Sequence, residues 1–204
     1  RKELLDITYN DIKKLGALTR ICGFMLGDGH LVRNSIRLHF SGNIEALREV
    51  QKDLEALGYY NYSRIKSVKI KSKIMGRIFN GTSTSFTLDS KALSLLLQYL
   101  GIPKGDKTIT QYFVPEFVMR GTIYVKREFL RALFGCDADK PKYKKMNFEA
   151  LALRQNKASC LGREMLQYLE DLTYLLEDFS VASYVNIRNK GEVRQKDNAE
   201  VLTF

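Results

Sequence analysis

ICGFMLGDG (residues 21–29) and LRALFGCDA (130–138) are apolar runs of equal length that end alike. Each has a small residue at its third place, Gly23 or Ala132. Each has another further on, Gly27 in one and Gly135 or Cys136 in the other, and an aspartate at the eighth place, Asp28 or Asp137. Small residues three or four apart share one helix face and let two backbones approach closely. Helices packed through those faces bring the aspartates together, within about one helix diameter (~10 Å) of each other. That meeting point is the C-terminus of both helices, where the dipole disfavours an exposed carboxylate by about 0.3–1 kcal/mol. Two carboxylates there also repel, and a divalent cation between them relieves both penalties. Oxygen ligands favour Mg²⁺ or Ca²⁺ over zinc. Phosphodiester cleavage by metal-activated water is the natural chemistry of such a site beside basic strands.

Outward from these runs, the same order of elements occurs twice. In the first half, 16–28 reads as a helix, and 35–42 as a half-buried strand with Ile36, Leu38 and Phe40 inward. Asn43 caps a helix over 44–58, strands lie near 63–73 and 82–88, and Ser90 caps a helix over 90–101. In the second half, 125–137 reads as a helix and 146–154 as a strand. A long helix is expected over 157–179, with strands over 183–188 and about 193–204. The intervening stretch holds Pro103, Pro115, Gly101, Gly105 and Gly121, which reads as a linker. The expected division is a lead-in (1–14), a first half (15–102), a linker (103–124) and a second half (125–204), the last without a counterpart of the first half's closing helix. This is an α+β protein with internal pseudo-twofold symmetry.

The chain has 204 residues, 33 Lys+Arg against 23 Asp+Glu and a net charge of +10, which calls for an anionic partner. Its 45% hydrophobic and 27% charged composition excludes a disordered or low-complexity chain. No window is apolar enough for a spanning helix, and no leader pattern is present. Cys22, Cys136 and Cys160 are odd in number, far apart and without a CxxC pair, so neither a disulfide frame nor a zinc site is expected. The expected setting is intracellular, in cytoplasm or nucleoid. The first residue, Arg1, fits a fragment of a larger polypeptide.

Cations gather on the strands. Arg64, Lys66, Lys69, Lys71, Lys73 and Arg77 lie in 63–77, and Lys69, Lys71 and Lys73 alternate onto one face. Lys140, Lys142, Lys144 and Lys145, then Arg188, Lys190, Arg194 and Lys196, do the same in the second half. Arg33, Arg37, His39 and Arg154 join them as candidate DNA contacts. A β-ribbon fits the major groove, where Arg and Lys read guanine edges, although most such cations meet phosphates. A membrane surface fits less well, because no amphipathic helix flanks the basic residues. His30 reads as a polar loop residue rather than a catalytic base, and His30 and His39 lack metal-ligand spacing. The stripe Leu161, Met165, Leu169, Leu172 and Leu176 reads as core.

The paired motifs resemble the two signature motifs of the LAGLIDADG homing endonucleases. LGIPKGDKTITQYFVP (100–115) is similar to the segment before the second motif in intein-borne, dodecapeptide members. The resemblance covers most of the chain. It implies two αββαββα halves with saddle-shaped antiparallel sheets on DNA, and Mg²⁺-dependent cutting of both strands across the minor groove. It implies Asp28 and Asp137 as the metal-binding acidic pair, with Gly27 and Cys136 beside them as ligands, and Lys107 near a scissile phosphate. Mn²⁺ would substitute, and Ca²⁺ would support binding without cleavage. The partner would be double-stranded DNA with a long pseudo-symmetric site, bound by a monomer that is either embedded in a host protein as an intein or intron-encoded. Two features depart from the pattern. Ala138 replaces the usual glycine, at about 1 kcal/mol or more if the turn needs positive φ. Lys107 has no counterpart in the second half. The alternative is a non-catalytic nucleic-acid binder, either a maturase-like RNA-splicing factor or a degenerate endonuclease.

Overall fold

The computed structural model describes residues 11–74, 77–140, 142–144, 147–148, 150–187, 189–194 and 199–204. The first half runs α1 (Ile12–Leu26), β1 (Gly29–Leu31), β2 (Arg37–Ser41), α2 (Ile44–Ala56), β3 (Lys66–Ile74), β4 (Arg77–Asp89) and α3 (Lys91–Tyr99). After α4 (Glu116–Met119), the second half runs α5 (Ile123–Asp137), β5 (Tyr143–Lys144), β6 (Asn147–Phe148), β7 (Asn156–Ala158), α6 (Gly162–Glu177), β8 (Asn189–Arg194) and β9 (Ala199–Thr203). The protein is α+β with antiparallel sheets. The strand orders are β1-β2-β4-β3 and β7-β9-β8. With β7 equivalent to β2, β9 to β4 and β8 to β3, the second order repeats the first. The duplication is therefore present in the strand order as well as in the motifs.

Local chemistry sets several boundaries. The Asn43 side chain accepts from the Ala46 N–H and the Ser90 side chain from the Leu93 N–H, so both expected caps are made. On β2, Leu38 and Phe40 are buried while Arg37 is exposed, as the alternation requires. Phe40 stacks on Phe86 of β4 at 4.8 Å, fixing the β2–β4 register beneath the helices.

Other expectations are corrected. Ile36 precedes β2 and is exposed. Residues 156–158 form β7, not the start of a helix: they pair with Val201–Thr203, and the Ala158 N–H donates to Thr108 O. Helix α6 begins only at Gly162, after a 3-10 turn over Ser159–Leu161. Pairing with a strand more than 40 residues away overrode local helix propensity there. No strand forms over 181–187, and β8 begins at Asn189. Residues 147–148 are strand, but within 150–155 only Leu153 makes an isolated bridge, to Ala138.

The core lies where α1 and α5 cross. Ile21, Cys22, Met25, Phe129 and Leu133 are essentially inaccessible there, and Met165, Tyr168 and Leu172 of α6 join the same cluster. A Cβ on Gly23 would sit 2.5 Å from Phe129 O, and one on Gly27 would sit 2.6 Å from Cys136 Cβ. The small-residue faces do meet, with Gly23 beside Ala132 and Gly27 beside Cys136. Gly135 faces open space, so Cys136 is the true partner of Gly27. Arg20 of α1 ties the helices together. It donates to Asp53 of α2 at 2.5 and 2.9 Å and to Glu128 of α5 at 2.5 Å.

Candidate active site

At the C-terminal ends of α1 and α5 the two motifs place their aspartates side by side. Asp137 Oδ2 lies 3.5 Å from where a Cβ on Gly27 would be, one residue from Asp28. Burial, and then the Asp137 charge, push the Asp28 carboxyl up to about 6. Burial also raises Asp137, while Gln155 and Lys107 pull it down. Ser41 Oγ donates to the Asp28 carbonyl at 2.7 Å, holding the turn after α1. Ala138 adopts φ −82° and ψ 152°, and its N–H still bonds Phe134 O. The turn after α5 therefore needs no positive φ, and the penalty expected for alanine does not arise. Gly29 has a different reason to be glycine: a Cβ there would meet Met25 Cα at 3.0 Å.

Lys107 reaches the same spot. Its Nζ donates to the carbonyls of Met25 at 3.3 Å and Leu26 at 2.8 Å, and to that of Gly27. These carbonyls end α1 and have no helical N–H to accept from. Burial lowers the Lys107 pKa, and Asp137 and Asp28 oppose that shift.

Three residues unmarked by sequence reasoning complete the site. Gln155 Nε2 donates to Asp137 Oδ2 at 2.7 Å. Lys157, 1% exposed, donates to Lys107 O at 2.7 Å and Thr110 O at 2.5 Å. Its ammonium lies 3.8 Å from the ring centroid of Tyr112, and burial lowers its pKa to about 8. Gln155 carried no sequence signal: it lies between the Leu153 bridge and β7, and only the fold brings its side chain to Asp137. Lys157 carried none either, since an isolated lysine in sequence does not reveal its burial.

Three main-chain oxygens already converge on the Lys107 ammonium, and two raised carboxylates flank it. Among the described residues, no three His, Cys, Asp or Glu side chains group to hold an ion. Any ion here would rest on the two aspartates and on main-chain oxygens. The Cys136 sulfur packs against Gly27, and burial pushes its thiol up to about 12. Beside the acidic pair, Gly27, Lys107, Thr108, Tyr112, Asp137, Arg154, Gln155 and Asn156 line an open cleft of about 210 Å³.

The candidate DNA contacts divide into groups. Arg33, Arg64, Lys66, Lys69, Lys71 and Lys142 are exposed. Beyond its base, the β3–β4 hairpin is a two-stranded ribbon, and Val68 and Ile70 are exposed along with the lysines. Arg37 already binds Asp89 at 2.7 and 2.8 Å, and Arg154 binds Asp139 at 2.7 Å. His39 is half-buried and pairs with His30 across β1–β2, with ring centroids 4.8 Å apart. The strand pairing thus unites two histidines whose sequence spacing gave no hint of it. Lys73 and Arg77 lie in β3 and β4, Lys144 in β5, and Lys190 and Arg194 in β8; their side chains, and Arg188, lie outside the described residues. No described helix is long and apolar enough to cross a membrane.

No family model matches the chain. It is 37% identical over 183 residues to the replication factor C small subunit of Methanocaldococcus jannaschii, covering 89% of this chain and 10% of that protein. It is 35% identical over 188 residues to the tRNA-splicing ligase RtcB of Pyrococcus furiosus, covering 90% and 19%. It is 32% identical over 203 residues to the DNA-directed RNA polymerase subunit Rpo1N of M. jannaschii, covering 95% and 15%. The chain thus spans a tenth to a fifth of the length of these curated relatives. Among solved structures, the homing endonuclease I-WcaI bound to its DNA recognition sequence gives a TM-score of 0.48 at 16% identity, over 99% of this chain and 85% of that one. The N-terminal LAGLIDADG domain of DUF199/WhiA gives 0.46 at 16% identity, over 98% and 79%.

Proposed function

We propose that this chain is a LAGLIDADG-type homing endonuclease, a site-specific, Mg²⁺-dependent enzyme that cuts both strands of DNA. The observation that carries the reading is the convergence of Asp28, Asp137 and Lys107 at the crossing of α1 and α5, between two sheets of the same strand order. A bound Mg²⁺ would supply Lewis acidity and an activated water. The chain's own residues do the rest. Asp28 and Asp137 hold negative charge where a cation must sit, Gln155 fixes the orientation of Asp137, and Lys107 offers a positive charge to a phosphate. The exposed cations of the β3–β4 ribbon give the charge that DNA binding needs.

The intein origin fits the relatives. One segment of about 200 residues recurs in three proteins with unrelated names, each five to ten times its length. A shared insertion explains that pattern better than a shared function of the hosts. The proposed setting is a host polypeptide, with the chain acting as one pseudosymmetric unit.

The test is a plasmid library bearing candidate insertion sites, incubated with the protein in Mg²⁺ and in Ca²⁺. We expect cleavage in Mg²⁺ and binding alone in Ca²⁺, with Asp28→Asn and Asp137→Asn each abolishing double-strand cleavage and sparing binding. Tight binding without cutting in Mg²⁺ would overturn the enzyme reading in favour of a non-catalytic binder. Cutting by either variant at the native rate would overturn the catalytic assignment.

A further inference from the structure

The Lys107 side chain stands where a metal ion is wanted. Its ammonium takes the carbonyls of Met25, Leu26 and Gly27, the last of which directly precedes Asp28 in the chain. The charge of Lys107 acts on both Asp28 and Asp137. An ammonium and a divalent cation held on the same oxygens would repel each other at contact, so they compete for them.

The backbone of Lys107 is tethered separately. The buried Lys157 ammonium grips Lys107 O and Thr110 O, and Thr108 O accepts from the Ala158 N–H. The loop is therefore fixed to β7, and the flexible part is the four-carbon side chain alone. The open cleft beside it, lined by Thr108, Tyr112, Arg154 and Gln155, gives that side chain somewhere to go.

We propose that Lys107 is a tethered counter-ion that closes the acidic site in the metal-free protein, and that a divalent cation binds by displacing its ammonium into the neighbouring cleft. The inference rests on the proposed metal centre and adds a regulation to it. Metal loading and presentation of Lys107 to the cleft become one event, so the lysine is offered only when the ion is in place. Without the ion, the ammonium offsets the repulsion of two half-buried carboxylates. Lys157 positions the loop so that displacement swings the side chain and leaves the backbone in place.

Two measurements test this, neither needing a DNA target. In the first, the native protein is labelled by reductive methylation, in chelator and at rising Mg²⁺, and each lysine is read by mass spectrometry. Lys107 should be protected in chelator and become reactive with Mg²⁺, while exposed Lys69 and Lys71 label equally in both. Unchanged Lys107 labelling overturns the proposal, and this arm does not depend on a variant folding. In the second, Mn²⁺ alone is titrated calorimetrically. Lys107→Met should bind it about tenfold more tightly, equivalent to about 1.4 kcal/mol, and Asp28→Asn should bind it far more weakly. If Asp28→Asn weakens binding but Lys107→Met does not tighten it, displacement is wrong and the metal centre stands. If Asp28→Asn binds Mn²⁺ like the native protein, the metal centre falls and this inference with it.

Discussion

Substituting Gly23 by alanine tests the helix crossing on which the site depends. In an isolated helix this change is favourable by about 1 kcal/mol, because glycine is the poorer helix former. Here the added methyl would sit 2.5 Å from Phe129 O, 3.1 Å from Ala132 Cβ and 3.2 Å from Leu133 N. Two of these neighbours are helix backbone, which cannot turn aside as a side chain could. Relief requires α1 and α5 to separate, and overpacking of that kind costs about 1–3 kcal/mol. Because the contact is with backbone, we take the upper part of that range, which leaves a net loss of about 1–2 kcal/mol after the propensity gain. For a chain of this size that lowers Tm by roughly 2–8 °C. Gly135→Ala is the control. It lies on the same pair of helices, but its Cβ would meet nothing within 4 Å, so it should gain up to about 1 kcal/mol. The assay is urea or thermal unfolding followed by circular dichroism. Equal stability of Gly23→Ala and the native chain, or the same sign for both substitutions, would refute the close crossing of α1 and α5.

Other outcomes follow from the site and its supports. The folded-state pKa of Asp28 is raised to about 6, so the folded chain binds a proton there that the unfolded chain has released. Metal-free stability should therefore fall as pH rises from about 4 to 6. Asp28→Asn should remove that slope, stabilising the protein at pH 8 and changing little at pH 4 in unfolding scans; a slope unchanged in the variant would count against the half-buried acidic pair. Arg20→Met leaves Asp53 and Glu128 without their shared partner and should cost about 3 kcal/mol, read from urea midpoints. A loss under about 0.5 kcal/mol would place those ion pairs in the weak surface class. Replacing both Lys69 and Lys71 with glutamine should weaken binding to non-specific duplex DNA and lower the slope of log affinity against log salt by about 1–2, with stability unchanged. An unaltered slope in fluorescence-anisotropy titrations would remove the ribbon from the interface.

The motifs by themselves determined the main frame of this protein. Apolar runs with small residues at matched places specify helices that cross closely, and Asp28 and Asp137 follow because they sit just past those faces. Side-chain periodicity found Leu38 and Phe40, and local hydrogen-bonding chemistry found the caps at Asn43 and Ser90. Each is a property of a few neighbouring residues. The tertiary structure alone decided matters that depend on distant partners. Residues 156–158 became a strand because 201–203 pair with them. Ala138 proved harmless because its turn stays at negative φ. His30 met His39 through strand pairing. Lys157 became a buried clamp, and Lys107 came to rest on the end of α1, because the loop carrying Lys107 lies between β7 and that helix end. Burial and long-range pairing are set by the whole packed chain, so no local stretch of sequence encodes them, and the electrostatics of the acidic site follow from both.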